Sequence, residues 1–169
     1  MKLSVTMGTL SIFCLLYAGF ALSVAADEEA RVVRASCAKG WTEVGRRCFR
    51  WFNDSHSWSV AEEKCVGHGA HLVTIFNEEE QKAVSELSNR IYDKTWIGGI
   101  GGIRGKDKAP QTYTWIDGTE ITGFKHWANG EPNNSGDNEH CMSNDPSKDF
   151  HWNDDTCHIK LAYMCAYNA

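Results

Sequence analysis

The chain has 169 residues, 42% of them hydrophobic and 11% aromatic, enough to bury one sizeable core and too few for several. Acidic residues outnumber Lys and Arg by 22 to 17, and the net charge of −5 argues against nucleic acid and anionic membrane as partners.

The opening residues 1–26 carry one early cation, Lys2, then an apolar run, then the small residues Ala25 and Ala26. That order reads as a secretory signal peptide, which predicts an extracellular, secreted protein without membrane insertion. Removing it takes away only one basic residue and leaves 16 against 22, a net charge of −6. Residues 27–36 form an acidic and then basic linker whose Arg31 and Arg34 have the spacing of a propeptide processing site. Removing the signal also removes Cys14, so six cysteines remain, an even number suited to disulfides in an oxidising compartment. Counting alone leaves their connectivity open. A zinc site at Cys141 and Cys157 with His140 and His158 is the rival use, but no CxxC pair supports it.

From Gly40 to Phe52, "GWTEVGRRCFRWF" has the β-branched and aromatic content of a hairpin. Two helices are expected next. Ser57 or Ser59 could cap a helix in which Trp58, Ala61 and Cys65 recur at helical spacing. Asn77 could cap a second one, with Glu78, Glu79 and Glu80 in its first turn and Arg90 at its end. Beyond Thr95 come short strands, "TWIGGI", "TYTWIDG" and "KLAYMCAY", separated by long loops rich in Gly, Asn and Asp. Loops of that length in a compact domain call for a staple or an ion. One of them, "NGEPNNSGDNEHC" from Asn129 to Cys141, gathers three carboxylates and four side-chain amides around Pro132.

Several features have plain readings. "GGIGGIRGK" at 98–106 fits neither phosphate-loop spacing, because position 104 is Arg. His68, His71, His126, His151 and His158 are scattered without a nucleophile, so no enzyme activity is expected. Trp41, Trp51, Trp58, Trp96 and Trp115 are expected in the core, while Trp127 and Trp152 border the polar loops.

Taken together, Cys37 followed by Gly40-Trp41, the helix ending at Cys65, "WIGG" at 96–99, "EPN" at 131–133, "WND" at 152–154 and the last two cysteines resemble a C-type lectin domain of the long form. In motif order the chain is similar to soluble fish lectins and to type II antifreeze proteins. The resemblance covers roughly Cys37 to Tyr167 and implies an α+β fold over 37–169 with two helices, short antiparallel sheets and a long calcium-binding loop region. It implies three disulfides, Cys37 with Cys48, Cys65 with Cys165, and Cys141 with Cys157, the last clamping a loop that contains "HWNDD".

For the site, the resemblance implies one principal Ca2+ held by Glu131, Asn133, Glu139, Asn153 and Asp154, with Glu131–Pro132 in cis. Calcium takes six to eight oxygen ligands, which suits carboxylates mixed with amide carbonyls. The carbohydrate-binding groups would be Glu131, Asn133, Glu139 and Asn153, each acid paired with an amide so that a sugar hydroxyl meets one acceptor and one donor. An acid before Pro132 and an amide after it resembles the mannose-type order, which implies terminal mannose, N-acetylglucosamine or fucose-type glycans, microbial or host. His140 and Asn134 stand where calcium-rich relatives often have acids, so no second ion is expected. A noncovalent homo-oligomer would raise the avidity of a weak single site, and a role in innate immunity or in venom fits the same reading. "NNS" makes Asn133 a glycosylation acceptor in conflict with its ligand role, so Asn53 in "NDS" is the expected N-glycosylation site. The alternative is a type II antifreeze-like ice-binding protein on the same fold, against which the acidic, Thr-free stretch from Asn129 to His140 weighs.

Overall fold

The computed structural model describes residues 36–88, 93–102 and 112–169. The signal peptide, Arg31, Arg34, Arg90 and Arg104 lie outside the described residues.

A hairpin of β1 (Thr42–Val44) and β2 (Arg47–His56) turns at Gly45 and leads into helix α1 (Trp58–Gly67). Trp58, Ala61 and Cys65 are its buried face. Ser57 occupies the cap position without using its hydroxyl; its carbonyl receives the N–H of Ala61 at 2.9 Å. After β3 (His71–Leu72), helix α2 (Glu78–Ser88) starts at Asn77, whose Oδ1 accepts the N–H of Glu80 at 3.0 Å. The three first-turn acids complement the helix dipole. Glu80 also reaches back to the N–H of Phe76 at 2.8 Å and pairs with Arg47 at 2.8 Å, which fastens α2 to β2.

Strands β4 (Thr95–Gly101), β5 (Tyr113–Trp115), β6 (Cys141–Asp145), β7 (His151–Asp155) and β8 (Leu161–Asn168) complete one connected sheet in the order β1-β2-β8-β4-β6-β7. β3 adds to β8 and β5 to β4. All of the pairings are antiparallel except β4 with β8, where Thr95 and Trp96 run parallel to Ala162 and Tyr163. "WIGG" owes its glycines to crowding. A Cβ on Gly98 would stand 2.6 Å from the carbonyl oxygen of Leu72, and one on Gly99 would stand 2.0 Å from the sulfur of Met142.

The "HWNDD" segment is strand β7, paired with β6 from Cys141–Asp155 to Asp145–His151, not part of the loop that the resemblance implied. Its polarity hides it in the sequence. Asn153, Asp154 and Asp155 are all buried, and each has partners that replace water. Asp155 accepts from Ser143 at 2.6 Å and pairs with Lys94 at 2.7 Å, and Lys94 also lies 3.3 Å from Asp145. Trp152 is fully buried and donates its indole N–H to Gln81 on α2 at 2.7 Å. Gln81 in turn donates to Asn144 at 2.8 Å and to the carbonyl of Phe150 at 3.0 Å. This buried polar chain holds the β6–β7 hairpin against α2.

Three disulfides join Cys37 to Cys48, Cys65 to Cys165 and Cys141 to Cys157. The second closes 100 residues of sequence, tying α1 to β8, and in the chain-entropy account such a loop restricts the unfolded chain by about 4.7 kcal/mol. The third joins the start of β6 to the residues just after β7, so the hairpin beneath the long loop is closed covalently.

Candidate functional site

The long loop between β5 and β6 lies over the end of β7, and Asp154 on β7 organises it. One oxygen of Asp154 accepts the N–H of Asn133 at 3.1 Å. The other accepts the N–H of Asn134 at 2.7 Å and the hydroxyl of Tyr113 at 2.8 Å. The Glu131–Pro132 peptide just before these donors is cis. Asn134 is buried at φ 46°, a left-handed conformation that Asn tolerates better than most residues, and its Oδ1 accepts the N–H of Glu139 at 2.8 Å. Glu139 closes the turn by accepting the N–H of Ser135 at 2.9 Å.

These bonds bring three of the five expected ligand residues, Asn133, Glu139 and Asp154, into one hydrogen-bonded unit on the loop and β7, and the other two, Glu131 and Asn153, meet at a cation. The ammonium of Lys148, on a short 3-10 turn between β6 and β7, hydrogen-bonds to Oε1 of Glu131 and to Oδ1 of Asn153. The Glu131 side chain is only 5% exposed, and its second oxygen is buried without any partner. Asn153 donates its Nδ2 to the carbonyl of Asp154. Asn133, by contrast, is exposed and enters the unit through its backbone N–H.

The carboxylates of the unit act on one another's titration. Burial lifts the Glu139 carboxyl above its ordinary range; the Ser135 N–H opposes the lift, and Asp154, Asp155 and Glu131 add to it. Burial, the hydrogen bond to Asp154 and the surrounding carboxylates hold the Tyr113 phenol far above its ordinary range, so it remains a donor. Among the described residues no three His, Cys, Asp or Glu side chains are gathered closely enough to hold a metal unaided. The donor set here is mixed, however. It fits a hard cation on two observations: the buried Glu131 oxygen lacks a partner, and the oxygens of Glu131 and Asn153 already converge on a positive charge.

Sequence reasoning missed Tyr113, Lys148 and the structural role of Asn134. Only Asn134 carried a local signal, an Asn-Asn-Ser-Gly run prone to left-handed turns. Of the two loop tryptophans, Trp152 is core, whereas Trp127 is half-buried and packs edge-on against Tyr113 with centroids 4.9 Å apart. Asn53 is exposed on β2, where the register with β8 shifts. An open groove lined by Arg46, Arg47, Glu79 and Glu80 lies apart from the loop, but its central pair, Arg47 and Glu80, is already closed at 2.8 Å.

The lectin C-type domain model matches residues 54–167. The chain is similar to the galactose-specific lectin nattectin of Thalassophryne nattereri, at 32% identity over 156 residues that span 90% of this chain and 93% of that one. It is 33% identical to ladderlectin of Oncorhynchus mykiss over 140 residues, 79% of this chain and 70% of that one. Among solved structures, a calcium-independent type II antifreeze protein matches with a TM-score of 0.66 and 30% identity, covering 79% of this chain and 95% of that one.

Proposed function

Since the chain belongs to the C-type lectin domain family, we propose that it is a secreted, calcium-dependent carbohydrate-binding lectin of mannose type, which recognises microbial or host glycans without altering them. Its lectin domain would run over 37–169, after a signal peptide at 1–26 and a linker at 27–36. Among the described residues no helix is long and apolar enough to cross a membrane. The observation that carries the reading is the convergence of the Glu131 and Asn153 oxygens on a cation beside Asp154, with the second Glu131 oxygen buried and unpartnered.

Glu131, Asn133, Glu139, Asn153 and Asp154 would hold one calcium ion, which when bound supplies open coordination positions for neighbouring sugar hydroxyls. The chain's own part is to fix direction. Glu131 and Glu139 offer acceptors, and Asn133 and Asn153 offer donors, so each hydroxyl is met by one of each. The Nδ2 of Asn153 already spends one hydrogen on the Asp154 carbonyl and keeps a second for a ligand. Acid before Pro132 and amide after it supports equatorial 3- and 4-hydroxyls, hence terminal mannose, N-acetylglucosamine or fucose-type glycans. Nattectin is named as galactose-specific, so relatives at this similarity need not share a sugar, and the choice rests on residues 131 and 133.

Retention on mannose resin with calcium, and release by chelator, is the expected result. Retention in excess chelator would overturn the calcium dependence, and retention on galactose resin alone would overturn the sugar.

The second reading is ice binding. It is favoured by similarity to the calcium-independent antifreeze protein and by the ammonium of Lys148, a cation of the chain's own, meeting Glu131. Thermal hysteresis in a protein that binds no glycan would select it.

A further inference from the structure

Lys148 stands apart from the five residues assigned to calcium, yet it is the group that meets them. Its ammonium bonds to Oε1 of Glu131 and Oδ1 of Asn153, two of the oxygens the ion would need. Its position is fixed by the backbone. Pro146 begins the 3-10 turn, Asp145 accepts from both the N–H and the hydroxyl of Ser147 at 2.9 and 2.7 Å, and the carbonyl of Lys148 accepts from Nδ1 of His151 at 2.9 Å. The head is thus delivered by a rigid turn at the end of a flexible four-carbon stem. With 33% of its side chain exposed, that stem also has a way out to water.

The geometry points to Lys148 as a tethered competitor for calcium: its ammonium holds the ion position when calcium is scarce and must swing out before Glu131 and Asn153 can serve as ligands. This rests on the calcium site proposed above. An ammonium and an ion cannot occupy the same position, and their like charges repel as they approach it. While the ammonium is seated, it neutralises a buried carboxylate that otherwise has no donor at either oxygen, so the loop keeps its shape without metal. The consequence is a higher threshold. A site available for only a fraction of the time binds more weakly by that fraction, so an ammonium seated for about 90 to 99% of the time weakens apparent affinity about 10- to 100-fold. Ligand binding would then switch on over a higher range of calcium than the oxygen set alone dictates.

The test compares the whole protein with Lys148→Met, which keeps the length of the stem, and Lys148→Gln, which is shorter and polar; both remove the charge. Calcium is titrated calorimetrically into each after chelator removal, and melting is followed in chelator and in saturating calcium. Both variants should bind calcium at least tenfold tighter than the parent, melt lower in chelator, and gain more from calcium. A lysine with only a structural role would lower melting without tightening calcium binding. Equal affinity in all three proteins overturns the competition and leaves the calcium site standing. Binding by the variants and not by the parent supports it in its strongest form. No binding by any of the three overturns the calcium site and the competition with it. Should one variant fail to fold, the other decides.

Discussion

The hydroxyl of Tyr113 on β5 donates to Oδ2 of Asp154 on β7 at 2.8 Å, across 41 residues of sequence. This bond joins β5, from which the long loop departs, to β7, over whose end the loop lies. Asp154 also accepts the N–H groups of Asn133 and Asn134, so the carboxylate serves as the loop's anchor before any ligand is considered. Tyr113→Phe removes one donor and leaves the other two. It should cost about 1.5 to 3 kcal/mol, the range for a hydrogen bond to a charged group, and should weaken calcium binding by freeing the loop. Asp154→Ala strands all three donors and should cost more. Urea denaturation of both variants checks the order; a Tyr113→Phe loss equal to that of Asp154→Ala would mean the two backbone donors contribute nothing.

Gly98 and Gly99 make a matched pair of tests for the close approach of β4 to its neighbours. A Cβ at Gly98 meets the backbone carbonyl of Leu72 at 2.6 Å, and that backbone is held by the adjoining sheet. A Cβ at Gly99 meets the flexible side chain of Met142. Gly98→Ala should therefore be the more damaging on its own, and pairing Gly99→Ala with Met142→Ala should recover part of the loss. Thermal melting of Gly98→Ala, Gly99→Ala, Met142→Ala and the double variant checks both, and additive losses in the double variant would show that Met142 is not the obstacle.

How much of this was legible in the sequence depends on distance along the chain. The α2 cap at Asn77 and the buried spacing of Trp58, Ala61 and Cys65 are local, and both read correctly. The β6–β7 hairpin did not, because Ser143, Asn144, Asn153 and Asp155 look like loop residues until their buried partners are known. Disulfide pairing and the fold followed only from the resemblance, since spacing leaves the connectivity open. Lys148 was invisible for a physical reason. A lysine in "DPSKDFH" reads as a solvated turn, and only the tertiary fold brings its ammonium to Glu131.

Gln81 links Trp152, Asn144 and the Phe150 carbonyl in one buried chain. Gln81→Met keeps the volume and removes every one of those bonds. The indole N–H of Trp152 then lacks an acceptor, at a cost of about 1 to 3 kcal/mol for that group alone. The chemical denaturation midpoint should fall. Because Trp152 precedes Asn153 and Asp154, calcium affinity should fall with it, and unchanged affinity would show that the hairpin is positioned from the loop side instead.

His126 stacks on His151 with ring centroids 4.1 Å apart, and its carbonyl accepts the N–H of Trp152 at 2.7 Å. Burial, then the neighbouring His151, hold its pKa below the ordinary 6.5, while Glu78 and Asp149 pull weakly the other way. The unfolded chain therefore takes up this proton first. The stability contributed by neutral His126 is complete above about 6.5 and is lost as pH falls through its lower folded value. Melting should drop between pH 7.5 and pH 5, and His126→Phe, which retains a ring, should reduce that drop. An identical pH dependence in the variant would assign the titration elsewhere.

The order of acid and amide around Pro132 is the proposed selectivity element, because it decides from which side a sugar hydroxyl meets its donor. Exchanging the two, Glu131→Gln with Asn133→Asp, keeps one negative charge and an oxygen ligand at each position. It does not keep their surroundings: the buried position loses the charge that pairs with Lys148, and the exposed position gains one. Calcium affinity is therefore expected to move, so sugar preference is read at saturating calcium, where that change drops out. The donor then lies where the acceptor was, which favours an equatorial 3-hydroxyl with an axial 4-hydroxyl, the galactose arrangement. Mannose should lose affinity. Gain of galactose is expected to be partial, because the apolar face of that sugar is best met by an exposed ring; Trp152 is fully buried, and Trp127 is half-covered by its packing on Tyr113. Inhibition constants for mannose and galactose on both proteins decide the matter. If the exchanged protein is saturated with calcium and keeps the parent's mannose-to-galactose ratio, residues 131 and 133 do not set the sugar.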